Sequence, residues 1–150
     1  MSNISRLVLG TALMLALAGG CSEESDAAEA TTAEEAEAPA IPEMSITEAA
    51  RLFEAGEAIP VDANGSTVRE ERGVVPGARL LTSSGRYDPN AELPEDRSTT
   101  LVFYCGNSDC RASDGAANRA LEAGFEHVNV MRDGIAGWVE AGQTTEQPAS

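Results

Sequence analysis

The stretch Thr99-Thr100-Leu101-Val102-Phe103-Tyr104-Cys105-Gly106-Asn107-Ser108-Asp109-Cys110-Arg111 passes abruptly, at a cysteine, from β-branched, aliphatic and aromatic residues to small polar ones. Residues 99–104 have the composition of a buried strand. The polar run after them is a loop. Residues 114–123 then carry a helical pattern that Gly124 stops, with Ser113 placed to cap its start. Cys105 is thereby set between the carboxyl end of a strand and the beginning of a helix. Backbone N–H groups and the helix dipole favour an anion there, which stabilises a thiolate. Gly106 permits a tight turn beside the sulfur. Asn107, Ser108 and Asp109 are small turn formers suited to a curled loop, Cys110 is a second thiol, and Arg111 supplies a fixed positive charge.

Upstream, Ser45-Ile46-Thr47-Glu48 has the form of a capping box, and Ile46, Ala49, Ala50 and Phe53 follow at helical spacing before Gly56. Ile59-Pro60-Val61-Asp62 reads as a short strand and Asn64-Gly65-Ser66 as a turn. Pro76-Gly77 turns the chain into a strand over residues 78–81, and residues 83–97 read as a polar loop punctuated by Gly85, Pro89 and Pro94. Downstream, residues 127–131 form a strand, Asp133-Gly134 a turn and residues 135–140 a last helix. Strands and helices that alternate at these lengths predict an α/β domain: an open, largely parallel sheet covered on both faces. Ligand sites in such sheets lie beyond the carboxyl ends of the strands, where Cys105 is found. Phe125 and Trp138 fall where a strand and helix must pack, so both read as core, whereas His127 reads as a surface residue.

The 150 residues carry a formal charge of -15, from 25 acidic and 10 basic residues, and every basic residue is arginine. No basic stripe is present, which argues against a nucleic-acid partner and against charge-driven binding to an anionic membrane. Cys105 and Cys110 with the single His127 some way downstream do not make a zinc set, so no metal is expected, and no cofactor is called for.

Successive segments resemble the signatures of a rhodanese domain over about residues 44–142: Val61-Asp62, Val75-Pro76-Gly77-Ala78, Leu101-Val-Phe-Tyr-Cys105, Ala116-Ala117, Gly124-Phe125 and Val128-Asn-Val-Met-Arg-Asp-Gly134-Ile-Ala-Gly-Trp138. The resemblance implies a five-stranded parallel sheet between helices. The domain is expected to span residues 43–143, followed by a disordered tail at 144–150. It also implies that Cys105 receives sulfane sulfur as a persulfide, from a small anionic donor such as thiosulfate, and passes it to a thiol or other acceptor. The chain departs from the common pattern at three places. Asp62-Ala63-Asn64 stands for Asp-Val-Arg, and Gly73-Val74-Val75-Pro76-Gly77 for Gly-His-Ile-Pro-Gly. The loop after Cys105 is about two residues longer and holds Cys110.

Three alternatives to sulfur transfer stay open. Cys105 and Cys110 form a redox pair, or Cys110 resolves a modified Cys105; a permanent disulfide makes the domain an inactive binding module; or the spacing Cys105-x5-Arg111 marks a cysteine phosphatase or arsenate reductase. Asp62, at a strand end, is assigned a supporting role in holding neighbouring loops by hydrogen bonds.

The first residues carry a further signal. Arg6 precedes an apolar run at 7–17, and Ala18-Gly19-Gly20 leads to Cys21. This resembles a bacterial lipoprotein signal peptide over residues 1–20, with one glycine more than usual between Leu17 and the cysteine. Cys21 would be lipidated, anchoring a monomer in the cell envelope, with Ser22 pointing to the outer membrane and a periplasmic domain. The alternative is an ordinary secretory signal cut near Ala18. Residues 21–42 form an acidic Ala/Glu-rich tether, with seven acidic residues from Glu23 to Glu37 and no aromatic residue. As a coil it reaches roughly 25 Å.

Overall fold

The computed structural model describes residues 40–148. The expected signal peptide at 1–20, Cys21 and most of the expected tether lie outside the described residues. The elements run α1 (Ile46–Ala55), β1 (Ile59–Asp62), α2 (Ser66–Arg72), β2 (Arg79–Leu80), α3 (Pro89–Glu92), β3 (Leu101–Tyr104), α4 (Ala112–Glu122), β4 (Val128–Val130) and α5 (Gly134–Glu140). The four strands form one sheet in the order β2-β1-β3-β4, and all three pairings are parallel. β3 is an inner strand with every residue buried, as its continuous apolar composition requires.

The alternation of β3 divides the core. Leu101 and Phe103 face one cluster with Ala116, Ala117 and Ala120 of α4, Tyr87 and Phe125. Val102 and Tyr104 face the other, with Ala49 and Ala50 of α1 and Ile135 and Trp138 of α5. Helices therefore cover both faces of the sheet. Small alanines on the buried faces of α1 and α4 let those helices approach closely. Ser45 caps α1 by accepting from Glu48 N at 3.3 Å, and Gly56 ends the helix at φ 69°.

The expected fifth strand is reduced to a single parallel bridge from Glu43 to Val130, at the outer edge of β4. Met44 N donates to Val130 O and Val130 N to Pro42 O, both at 2.9 Å. Pro42 has no N–H to extend the ladder, and Ser45 already caps a helix, so the segment has no room to become a strand.

Three further expectations are corrected. The region of the Asn64-Gly65-Ser66 turn leads directly into α2, a helix without a single buried residue. The polar loop at 83–97 buries Tyr87 and Leu93 and contains α3. Tyr87 Oη donates to Ala116 O at 2.8 Å, and Arg119 Nε donates to Tyr87 O at 2.7 Å, so α4 holds this segment. The tail expected after residue 143 is ordered at its start. Trp138 Nε1 donates to Thr144 O at 2.8 Å, and Val74 and Glu146 exchange backbone hydrogen bonds of 2.9 Å. The buried indole N–H needs an acceptor, and the tail supplies it.

Candidate active site

Cys105 directly follows β3 and is 2 % exposed. Strand alternation puts it on the α4 side, in line with Leu101 and Phe103. Its Sγ lies 3.4 Å from Ser113 Oγ, on the second residue of α4. The sulfur therefore sits at the opening turn of an eleven-residue helix, where partial positive charge and a hydroxyl donor both favour a thiolate. Ser113 was expected to cap this helix. Instead Arg111 takes the cap position and Ser113 is buried within the first turn, so its hydroxyl serves the sulfur.

The loop after Cys105 is bent by two internal bonds, Cys110 N to Asn107 O at 3.1 Å and Asp109 N to Asn107 Oδ1 at 3.2 Å. Asn107, Ser108 and Asp109 are exposed, while Gly106 and Cys110 are half-buried. No acceptor among the described residues takes the amides of Gly106, Asn107, Ser108, Arg111 or Ala112. Cys110 is joined to Cys105 by a disulfide, with Cα atoms 6.2 Å apart. With Cys105 in that bond, the Ser113 hydroxyl is the only proton donor of the Ser113–Cys105 pair.

The base of the loop is clamped by α5. Ile135 N donates to Cys105 O at 2.8 Å and Ala136 N to Gly106 O at 3.0 Å. These are first-turn amides, free of intrahelical partners. The approach is so close that a Cβ at Gly134 would collide with Cys105 O, and would lie 2.8 Å from Asn107 N. Gly134 also has φ 62°, so both space and conformation demand glycine. Trp138 packs against Phe53 with centroids 5.8 Å apart, as a core residue, and His127 is exposed.

Asp62 is fully buried at the end of β1. Its Oδ1 accepts from Asn64 N at 2.7 Å and from Arg69 Nε at 3.1 Å. Arg69 Nη2 also donates to Asp62 O and Leu81 O, at 3.0 and 2.9 Å. The carboxylate thus ties the end of β1 to α2, and Arg69 extends the tie to Leu81, the residue after β2. Asp62 Oδ2 and Asn64 Nδ2 are buried without a hydrogen-bond partner among the described residues. Tyr104 Oη, which accepts from Val75 N at 3.0 Å, keeps its proton well beyond the ordinary phenol range because burial and then the Asp62 charge oppose ionisation. Asn64 stands against the loop, its Oδ1 being 3.8 Å from where a Cβ on Gly106 would lie.

Arg111 turns away. Its side chain is 71 % exposed and lies 3.7 Å from Asp114, so no guanidinium is aimed at Cys105 as a Cys-x5-Arg phosphatase loop would need. Among the described residues no group of acidic, histidine or cysteine side chains is arranged to hold a metal.

The family model of the rhodanese-like domain matches residues 45–141. The chain belongs to the rhodanese-like family. Among solved structures, the rhodanese-like domain of the Alr3790 protein from Anabaena superimposes with TM-score 0.59 at 22 % identity, over 73 % of this chain and 81 % of that one. Human single-domain sulfurtransferase is similar with TM-score 0.54 at 22 % identity, covering 67 % of this chain and 97 % of that one. A thiosulfate sulfurtransferase from Pseudomonas aeruginosa gives TM-score 0.60 at 26 % identity, with 73 % of this chain matching 21 % of that larger one. Among curated proteins none matches. Cys105 follows directly on β3 of this rhodanese-like domain.

Proposed function

We propose that this chain is a sulfurtransferase in which Cys105 carries sulfane sulfur as a persulfide. The observation that carries the reading is the position of the Cys105 sulfur at the first turn of α4, beside the Ser113 hydroxyl. In the reduced protein the Cys105 thiolate attacks the outer sulfur of a thiosulfate-type donor. The donor's S–S bond breaks, sulfite leaves with its electron pair, and Cys105 retains one extra sulfur. The loop amides without protein acceptors are placed to meet the negative charge of donor and leaving group. The 26 % identical Pseudomonas structure, whose name is thiosulfate sulfurtransferase, supports the donor class. Treating reduced protein with thiosulfate should add the mass of one sulfur and release sulfite, and Cys105→Ser should do neither. Persulfide formation that survives Cys105→Ser would refute the assignment.

A second reading is favoured by the Cys105–Cys110 disulfide itself: a thiol–disulfide exchange protein that handles no sulfane sulfur. Under it, reduced protein would ignore thiosulfate yet exchange readily with glutathione disulfide.

We also propose that the domain is held in the cell envelope by lipid on Cys21, facing the periplasm from the outer membrane. The signal-like run and the acidic tether support this placement. A lipid chain, with no charge attraction, must then provide the anchoring. In fractionated cells the mature protein should sediment with membranes, and Cys21→Ala should be unprocessed or soluble. A soluble wild-type protein starting at another residue would contradict it.

A further inference from the structure

A sulfur atom held on Cys105 must eventually leave, and the surroundings restrict what can collect it. An acceptor that takes the atom itself attacks the outer sulfur, whereas release as hydrosulfide needs attack on Cys105 Sγ, which is 2 % exposed and poorly reached from outside. Cys110 is already there: its Cα is 6.2 Å from that of Cys105, and the two sulfurs bond in the structure. The turn that brings it back is closed by the Cys110 N to Asn107 O hydrogen bond. A reactant fixed in the same loop has an effective concentration far above that of any free thiol.

We infer that Cys110 is the resolving thiol of the sulfur-transfer cycle, so that the protein releases the transferred atom as hydrogen sulfide and is left as the Cys105–Cys110 disulfide. The inference rests on the sulfurtransferase reading above. In the step, the Cys110 thiolate attacks Cys105 Sγ. The bond from Cys105 Sγ to the outer sulfur breaks, and that sulfur departs as hydrosulfide. The two cysteine sulfurs lose two electrons between them and the sulfane sulfur gains both, so no outside oxidant enters. The sum is thiosulfate plus two protein thiols giving sulfite, hydrogen sulfide and one disulfide. The Cys105–Cys110 bond of the structure is the linkage that this step would leave.

Closing the cycle requires a dithiol reductant. Cys110 is the more accessible of the two sulfurs, being half-buried where Cys105 is buried. The reductant's thiolate therefore attacks Cys110, and Cys105 leaves as the thiolate that α4 and Ser113 stabilise. A stabilised leaving thiolate speeds such exchange. A second thiol of the reductant then frees Cys110. The protein accordingly stands downstream of a reaction that makes a sulfane-sulfur anion and takes electrons from a dithiol donor.

A single-turnover experiment separates this from plain sulfur transfer. The full mature chain is reduced, freed of reductant under anaerobic conditions and mixed with an equimolar amount of thiosulfate. Sulfite, sulfide and intact mass are then followed. The wild type should release equal amounts of sulfite and sulfide, hold no extra sulfur and lose two hydrogens. Cys110→Ser, with Cys110→Ala as a second variant, should release sulfite but no sulfide and keep one sulfur on Cys105. Wild-type protein that releases sulfite yet keeps the extra sulfur, without sulfide, would overturn the role of Cys110 and leave the sulfurtransferase reading standing. No sulfite from either wild type or the Cys110 variants would overturn that reading and this inference together.

Discussion

The end of β1 and the loop after β3 meet where Asn64 stands against Gly106, yet they are held in opposite ways. At β1 a fully buried carboxylate, Asp62, is tied to an Arg69 side chain only 13 % exposed, and that arginine also binds two backbone carbonyls. The loop keeps Asn107, Ser108, Asp109 and Arg111 in solvent and has two internal hydrogen bonds. The first wall is tied by buried side chains, whereas the second is held at its base by α5 and by the Cys105–Cys110 bond and leaves its tip in solvent. Under the proposed cycle the loop passes between free thiol, persulfide and disulfide, which asks for freedom at its solvent-facing tip while the neighbouring wall holds the cysteine in place.

The largest effect should come from breaking the rigid wall. Arg69→Ala removes one partner of a buried ion pair and leaves Asp62 without its cation, a change that typically costs about 3–5 kcal/mol. Asp109→Ala, on the exposed loop, should change stability by no more than about 0.5 kcal/mol. Urea denaturation of the two variants beside wild type gives the comparison directly. Equal losses would show that the loop is as tightly held as the wall.

Arg69 also shows where the sequence stopped being legible. Asp62 was identifiable as a strand-end carboxylate, and a buried carboxylate requires a partner. The partner sits on α2, a polar seven-residue helix with no buried residue, so no apolar period marked it. A search for the nearest following arginines would have raised Arg69 and Arg72. The β3 strand and the α1 cap were legible because each rests on a local rule, continuous burial and a side-chain cap. The Gly134 to Trp138 segment was legible as a turn, a short helix and a family signature, while the close approach that demands Gly134 is tertiary. The fifth strand was not legible, since its reduction to one bridge depends on Pro42 competing with the start of α1. Ser113 was noticed but given the wrong task. Its serine chemistry fits a cap, and only the three-dimensional turn shows that it faces Cys105. Cys110 was legible as a partner, but the sequence left open whether it resolves, inactivates or ignores Cys105.

A smaller effect tests what steadies the helix beneath the loop. Asp114, in the first turn of α4, receives two hydrogen bonds from Arg132, at 2.7 and 2.8 Å, and Arg132 Nε reaches Glu43 at 3.0 Å. The pair links α4 to the end of β4 and to the lone bridge at the sheet edge. Hydrogen bonding from Arg132 holds the Asp114 carboxyl below its ordinary value of 3.8, against a partial opposing effect of burial. A depressed carboxylate contributes stability that is fully present above the unfolded value and is lost as pH falls through the folded one. The side chains are 26 % and 20 % exposed, so solvent screens part of the attraction. Asp114→Asn should therefore destabilise the protein at neutral pH by about 1 kcal/mol. Below an ordinary aspartate pKa of 3.8 the wild type begins to lose the same contribution, so the gap between the two should narrow as the pH is lowered further. Thermal or urea unfolding of both proteins at neutral pH and across that acid range measures the gap. A difference that stays constant throughout would show that the loss comes from packing or the neutral hydrogen bond, and that the charge of Asp114 contributes nothing to holding the loop's helix in place.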